Sequence, residues 1–170
     1  MKTGIAATLG GLCIVALSWL VYSHSASSIS ADLEFQLIDG RRLQLPDLEN
    51  RPVLVTFWAT TCAVCVKKTP ELVQLYRDLN PRGVEMIAVA MAYDPPNRIL
   101  DFSRLNNIPY PISLDLDGDI ARAFNDVSLT PSTFLLDQDG RIIFSRTGDI
   151  DVENLRSRII GLLSSNSATG

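Results

Sequence analysis

The segment Val53-Leu-Val-Thr-Phe-Trp-Ala-Thr-Thr-Cys-Ala-Val-Cys65 carries the strongest structural signal in the chain. Its first half, Val53 to Trp58, is rich in β-branched and aromatic residues and shows no polar alternation, which is typical of a strand covered on both faces. Apolar residues then recur at helical spacing and predict a helix from near Cys62 to Asn80. Two cysteines therefore lie where a buried strand passes into a helix.

The segments on either side alternate between strand and helix patterns. Val84 to Met91 is a second buried strand pattern, and a helix pattern starts around Pro95-Pro96. Hairpin signals lie around Asp39-Gly40 and around residues 137–140, and a last helix pattern follows Asp151, which is expected to cap it. This alternation predicts an α/β fold.

The composition fits one globular domain with short appendages. The chain has 170 residues, of which 46% are hydrophobic, and a formal net charge of -4. We expect a domain over residues 32–164, long enough for a single buried core, and a flexible tail over residues 165–170. The acidic balance without clusters of Lys or Arg argues against nucleic acid as a partner.

The N-terminal segment has the features of a membrane anchor. Residues 4–22 carry no charge, and a helix of that length spans roughly 28 Å, close to the hydrocarbon thickness of a bilayer. Lys2 precedes this span and Asp32 follows it, which predicts that the remaining chain lies outside the cytoplasm. Residues 1–31 are thus expected to be an anchor and tether. The alternative is a signal peptide, cleaved near Ala26, that releases a secreted periplasmic protein.

Cys62 and Cys65 are the candidate catalytic residues and the expected redox-active disulfide. A helix N-terminus presents free N–H groups and the positive end of the dipole, which stabilise a thiolate and lower the pKa of Cys62. A spacing of three residues places Cys65 one turn further on the same helix face, within bonding reach. Cys62 is then the nucleophile that attacks a partner disulfide, and Cys65 is the resolving thiol.

Three segments resemble the TlpA/ResA/DsbE group of bacterial membrane-tethered thioredoxin-like proteins. They are Val53 to Cys65, Pro70 after the second cysteine, and Thr130 to Ile142. The resemblance covers nearly all of Phe35 to Leu163. It implies a thioredoxin-like fold, with a central mixed sheet flanked by helices, an N-terminal hairpin and a helix-containing insertion from Asp94 to Phe124.

The same resemblance implies roles around the cysteines and a cellular setting. It implies that Pro131 is cis and packs against the cysteine pair, that the backbone of Thr130 lines the partner groove, and that Trp58 lies beside the disulfide. Members of the group mostly reduce disulfides. They draw electrons from a CcdA/DsbD-like membrane thiol relay and pass them to apocytochrome c, copper-site proteins or other clients. We therefore expect a cofactor-independent reductase on the periplasmic side of a bacterial inner membrane.

The chain departs from the group's pattern at four positions near the site. Val64 and Thr61 replace a usual proline and tryptophan, Lys68 replaces a usual glutamate, and Thr56 stands where thioredoxins carry a buried aspartate. We expect the positive charge of Lys68 to lower the pKa of Cys62 further. The alternative is that Lys68 is a solvated helix residue without such a role.

Other functions remain open at this point. A thiol oxidase or isomerase uses the same chemistry, and a redox-responsive binding module would dock a partner without turnover. A thiol peroxidase is disfavoured because Ala59 and Val55 stand where its characteristic threonine and proline would lie. A zinc site is disfavoured because the domain has no further cysteine and no histidine. Two local expectations are that Asp119 caps a short helix and that Tyr93 is a core residue.

Overall fold

A computed structural model describes residue 29, residues 32–48 and residues 50–166. Its strands are β1 (Glu34–Gln36), β2 (Arg42–Gln44), β3 (Val53–Trp58), β4 (Glu85–Ala90), β5 (Ile112–Leu114), β6 (Ser132–Leu136) and β7 (Ile142–Thr147). Its α-helices are α1 (Ala63–Leu79), α2 (Pro96–Leu105), α3 (Asp119–Ala123) and α4 (Val152–Asn166), and short 3-10 helices cover Leu45–Leu48 and Asn80–Arg82.

Two predictions fall at the ends of the chain. No helix in the described part of the chain has the length and apolar character needed to cross a bilayer. The predicted span over residues 4–22 lies outside the described residues. At the C-terminus, α4 runs into the predicted tail as far as residue 166, and the last four residues lie outside the described part.

The strands confirm the predicted α/β fold with a central mixed sheet. The main sheet has five strands in the order β5-β4-β3-β6-β7, and β1 pairs with β2 in the predicted antiparallel hairpin. β3 pairs in parallel with β4 and antiparallel with β6, so it is the central strand. All six of its residues are buried, as its run of β-branched and aromatic residues without polar alternation predicts.

Side-chain alternation along β3 divides the core into two layers. Leu54 and Trp58 point to the layer that contains the buried faces of α1 and α4. Val55 and Phe57 point to the opposite layer, beneath the N-terminal hairpin and α3. Trp58 therefore lies on the same side of the sheet as the helix that carries the second cysteine.

The predicted insertion contains α2, β5 and α3, and the edge strand β5 is an addition to the helix expected there.

The predicted cap of α3 is wrong. The N-cap residue is Gly118, in a left-handed conformation with a φ of 73°, and the carboxylate of Asp115 accepts hydrogen bonds from the N–H groups of Ile120 and Ala121. Asp119 lies inside the helix instead, because the turn at Gly118 brings the earlier aspartate to the helix end.

Candidate active site

The two cysteines lie at the start of α1, as predicted. Cys62 is the N-cap residue, with extended backbone dihedrals, and its Sγ accepts a hydrogen bond of 3.2 Å from the backbone N–H of Cys65. The two form a disulfide with a Cα–Cα distance of 5.2 Å. The first sulfur thus accepts from a backbone N–H in the first turn of the helix, where a thiolate is favoured.

The exposure of the two sulfur residues differs. Cys62 is half-buried, whereas Cys65 is only 5% exposed and belongs to the core cluster on the α1 side of the sheet. A partner disulfide can therefore approach Cys62 and not Cys65. This difference in access bears on which cysteine would react first.

A buried carboxylate holds the loop that leads into Cys62. Asp94, which is 2% exposed, accepts hydrogen bonds from the N–H and the hydroxyl of Thr60, at 2.5 and 2.7 Å. Asp94 lies four residues after the end of β4, beside the carboxyl end of β3, so two parallel strands bring these groups together. This role of Asp94 was not predicted from the sequence. The feature that could have indicated it is an acidic residue directly after a buried strand pattern.

Trp58 is buried at the carboxyl end of β3, on the α1 side of the sheet. Its side chain is 6% exposed, its ring centroid is 5.2 Å from that of Phe102, and it shares a core cluster with Cys65. Its indole Nε1 atom is buried and has no hydrogen-bond partner among the described residues. Trp58 and Cys65 also line one small cavity, and the only polar side-chain atom of Trp58 is unpaired among the described residues.

The loop before β6 also reaches the cysteine pair. The peptide bond between Thr130 and Pro131 is cis, as implied by the resemblance. Pro131 is buried and lines a small cavity together with Cys65. The Thr130 hydroxyl lies 3.4 Å from the Tyr93 hydroxyl, so this loop is linked to the segment after β4.

Apolar side chains are exposed on the segments that carry Cys62, Asp94 and Thr130. Tyr93 is 59% exposed, Leu129 63% and Val64 38%. We call these three residues the apolar rim. The prediction that Tyr93 belongs to the core is wrong, because its ring extends from the loop after β4 toward Thr130 and not into either core layer.

Lys68 is held by two carboxylates. Its Nζ lies 3.2 Å from Glu71 and 3.4 Å from Asp149, and its side chain is 16% exposed. The hydrogen bond to Glu71, with smaller contributions from both carboxylates, raises the pKa of Lys68. Lys68 therefore stays charged, and its charge is partly neutralised. Lys68 also lines a cavity that Cys65 borders. The expected effect of its charge on the pKa of Cys62 stays a prediction.

The fold and the site together define a class of protein. A buried central strand leads to a half-buried cysteine at a helix N-terminus, a second cysteine is buried one turn further on, and a cis-proline lines a small cavity together with the second cysteine. This arrangement is that of a thiol-disulfide oxidoreductase.

Comparison with known proteins agrees with that class. The Redoxin family model matches residues 27–159, and the chain belongs to this family. The thiol-disulfide oxidoreductase ResA of Bacillus subtilis (strain 168) is 30% identical over 156 residues, which cover 87% of this chain and 84% of ResA.

Solved structures share the thioredoxin-like fold. StoA from Bacillus subtilis superposes with a TM-score of 0.66 at 22% identity, over 76% of this chain and 97% of StoA. A secreted disulfide oxidoreductase of Mycobacterium tuberculosis, homologous to E. coli DsbE, superposes with a TM-score of 0.69 at 19% identity, over 78% of this chain and 97% of that chain.

Proposed function

We propose that this oxidoreductase reduces the disulfides of client proteins outside the cytoplasm, with Cys62 as the attacking thiol and Cys65 as the resolving thiol. The observation that carries the proposal is the contrast between a half-buried Cys62 at the N-terminus of α1 and a Cys65 that is 5% exposed behind it. Only the first can meet a disulfide on another protein, and only the second is positioned to release it.

The reaction transfers two electrons in two steps. The Cys62 thiolate attacks one sulfur of the client disulfide, so that a mixed disulfide forms and the other client sulfur leaves as a thiolate. Cys65 then loses its proton and attacks the sulfur of Cys62, and the second client thiolate leaves. The domain ends with the Cys62–Cys65 disulfide, and a donor dithiol must reduce it before the next cycle.

The residues around the cysteines suit a protein client. Trp58 and Pro131 pack behind the pair, and the backbone of Thr130 is available beside it for an extended client segment. The apolar rim offers exposed hydrophobic side chains of the kind that mark interaction surfaces. We assign recognition of the client to the rim and to Thr130, and support of the disulfide to Trp58 and Pro131.

The client class, the electron donor and the location follow from the family resemblance. We propose clients of the cytochrome c maturation or metal-site assembly type, a CcdA/DsbD-like membrane thiol relay as donor, and anchoring by residues 4–22 with the domain in the periplasm. Membrane extraction tests the anchor: the full-length chain should stay with the membrane pellet in alkaline carbonate, and a chain lacking residues 1–31 should not. Recovery of both chains in the soluble fraction would support the cleaved signal peptide instead.

A trapping experiment tests the central proposal. Without its resolving thiol, Cys65→Ser should hold the client on Cys62 as a mixed disulfide, which is recovered under non-reducing conditions and lost on reduction. Cys62→Ser is the matched control and should trap no client on Cys65, because that thiol is buried; both variants also carry Cys13→Ser, which removes the third cysteine of the chain. Equal trapping by the two variants would contradict the assigned order of attack.

Two further measurements separate the alternative functions. Turnover in an insulin or client-peptide reduction assay distinguishes an enzyme from a binding module. A reduction potential below about -200 mV fits a reductase, whereas a potential near the roughly -120 mV of DsbA fits a thiol oxidase.

A further inference from the structure

A small cavity lies behind the resolving cysteine. It measures about 20 Å³, counted as the space open to the centre of a water molecule. Roughly 10–15 Å³ on that measure is enough for one water. Its lining includes Thr56, Trp58, Cys65, Lys68, Tyr110 and Thr133. The cavity therefore has the size of a single-water site, and it borders Cys65, whose thiol must lose a proton.

The chemistry of resolution requires a proton acceptor at this place. A thiol with an ordinary pKa near 8.5 is mostly protonated at neutral pH, and only its thiolate attacks. Cys65 is 5% exposed, so bulk water does not reach it freely. None of the residues that line the cavity, all of them in the described part of the chain, is an aspartate or a glutamate. Burial raises the pKa of Tyr110 well above its ordinary value, so its phenol stays protonated and is no base.

Three residues that line the cavity carry polar groups that suit a water molecule. Thr56 and Thr133 are cross-strand partners on β3 and β6, both are buried, and their hydroxyl oxygens lie 3.3 Å apart. Each hydroxyl can donate one hydrogen bond and accept others, so the pair can bond to each other and to a third group. The Trp58 N–H, which can only donate, has no partner among the described residues. A buried donor of this kind is normally satisfied by protein or by ordered water.

We propose that this cavity holds a water molecule, bonded by the Trp58 N–H and the Thr56–Thr133 hydroxyl pair, which accepts the proton of Cys65 during resolution. This inference rests on the proposed function. The S–H bond of Cys65 breaks toward the water, a new bond forms to the sulfur of Cys62, and the bond between Cys62 and the client breaks. The client sulfur leaves with the electron pair as a thiolate, and the proton passes to solvent or to that thiolate. Thr56, Thr133 and Trp58 are positioning residues in this scheme.

Lys68 lies at the outer end of the proposed route by which the proton of Cys65 leaves the cavity. Among the lining residues, Lys68 and Ile108 are half-buried and the others are buried, so the cavity is nearest to solvent at these two side chains, and we take this side as its opening. The charged groups at this opening are the Lys68 ammonium and the carboxylates of Glu71 and Asp149 that hold it. The cation favours the thiolate form of Cys65, and the two surface carboxylates can receive the departing proton.

The two-step reaction with dithiobis(nitrobenzoate) tests the inference on the reduced full-length protein, in a Cys13→Ser background so that Cys62 and Cys65 are the reacting thiols. Attack by Cys62 releases one thionitrobenzoate in a second-order phase, and attack by Cys65 on the mixed disulfide releases another in a first-order phase. The first phase reports the proposed function, and the second reports the proton transfer. If the proposed function were wrong, Cys62→Ser and Cys65→Ser would react with the reagent at the same rate in the first phase.

Thr56→Val and Thr56→Ser form a matched pair for this assay. Valine keeps the shape and removes the hydroxyl, and serine keeps the hydroxyl. Thr56→Val should slow the second phase by about tenfold or more at pH 7 and move its pH profile to higher pH, while the first phase changes less than about twofold. Thr56→Ser should retain the original second-phase profile. Second-phase rates and pH profiles that are the same in all three proteins would overturn the proposal.

Thr133→Val provides a second variant if Thr56→Val does not fold. It removes the other hydroxyl of the pair and should give the same selective loss in the second phase. A high-resolution crystal structure of the reduced protein should show one ordered water within hydrogen-bond distance of Trp58 Nε1. A cavity without such a water would also overturn the proposal.

Discussion

Replacement of Asp94 tests whether a buried carboxylate holds the approach to Cys62. Asp94→Ala removes the acceptor of two hydrogen bonds from Thr60, at 2.5 and 2.7 Å. A hydrogen bond to a charged group contributes about 1.5–3 kcal/mol each. Thr60 is only half-buried, so its freed N–H and hydroxyl can bind water and recover part of this loss. We therefore expect the free energy of unfolding to fall by about 2–3 kcal/mol, below the sum of the two bonds.

Urea unfolding of the oxidised protein at neutral pH measures this loss. Asp94→Asn is the control, because its side-chain carbonyl can still accept from the Thr60 N–H, and it should cost about half as much as alanine. The alanine variant should also lower the rate at which reduced Cys62 reacts with an aryl disulfide, since the loop that positions it is less constrained. An unfolding free energy within about 0.5 kcal/mol of the original for Asp94→Ala would refute the assigned role.

Three other outcomes are expected. Lys68→Glu should raise the apparent pKa of the Cys62 thiol; a thiol titration that is unchanged or lowered would refute the predicted effect of the cation. Burial raises the pKa of Tyr76 to about 12 and raises that of Tyr110 as well. The folded state therefore holds more protons above pH 10, and stability falls as the pH rises from about 10 to about 12. Urea midpoints at high pH should fall less in Tyr76→Phe, and an identical fall would contradict this. Leu129→Ser should lower kcat/KM for a protein client but not the reaction of Cys62 with a small disulfide, and equal losses would argue against a docking role.

The sequence predicts those parts of the structure that depend on local pattern. The apolar run of Val53 to Trp58 predicts a central strand because a strand covered on both faces has no polar alternation. The helical spacing after Cys62 predicts α1, and its first residue is within one position of the observed start. Asp151 caps α4 as expected, with its carboxylate accepting from the N–H groups of Glu153 and Asn154.

The parts that were missed depend on partners distant in the chain. β5 has three residues and is held by its pairing with β4 and by a bridge to Leu37, so its own sequence carries little signal. Tyr93 has the side chain of a core residue, and only the path of the loop after β4 places it at the surface. The contact between Asp94 and Thr60 depends on the parallel pairing of β3 with β4, which a single sequence does not determine.

Thr56 shows how much of the site the local sequence pattern can predict. Among the residues of β3 it carries the only hydroxyl, and period-two alternation places it on the same face as Leu54 and Trp58, toward α1. A hydroxyl in a strand buried on both faces requires a hydrogen-bond partner, so the sequence alone indicates that one exists. Its identity as Thr133 follows from the register of β3 against β6, which tertiary packing determines. The same register places both threonines in the lining of the cavity that Cys65 borders, so the pairing that satisfies a buried polar group also supplies polar residues to that cavity.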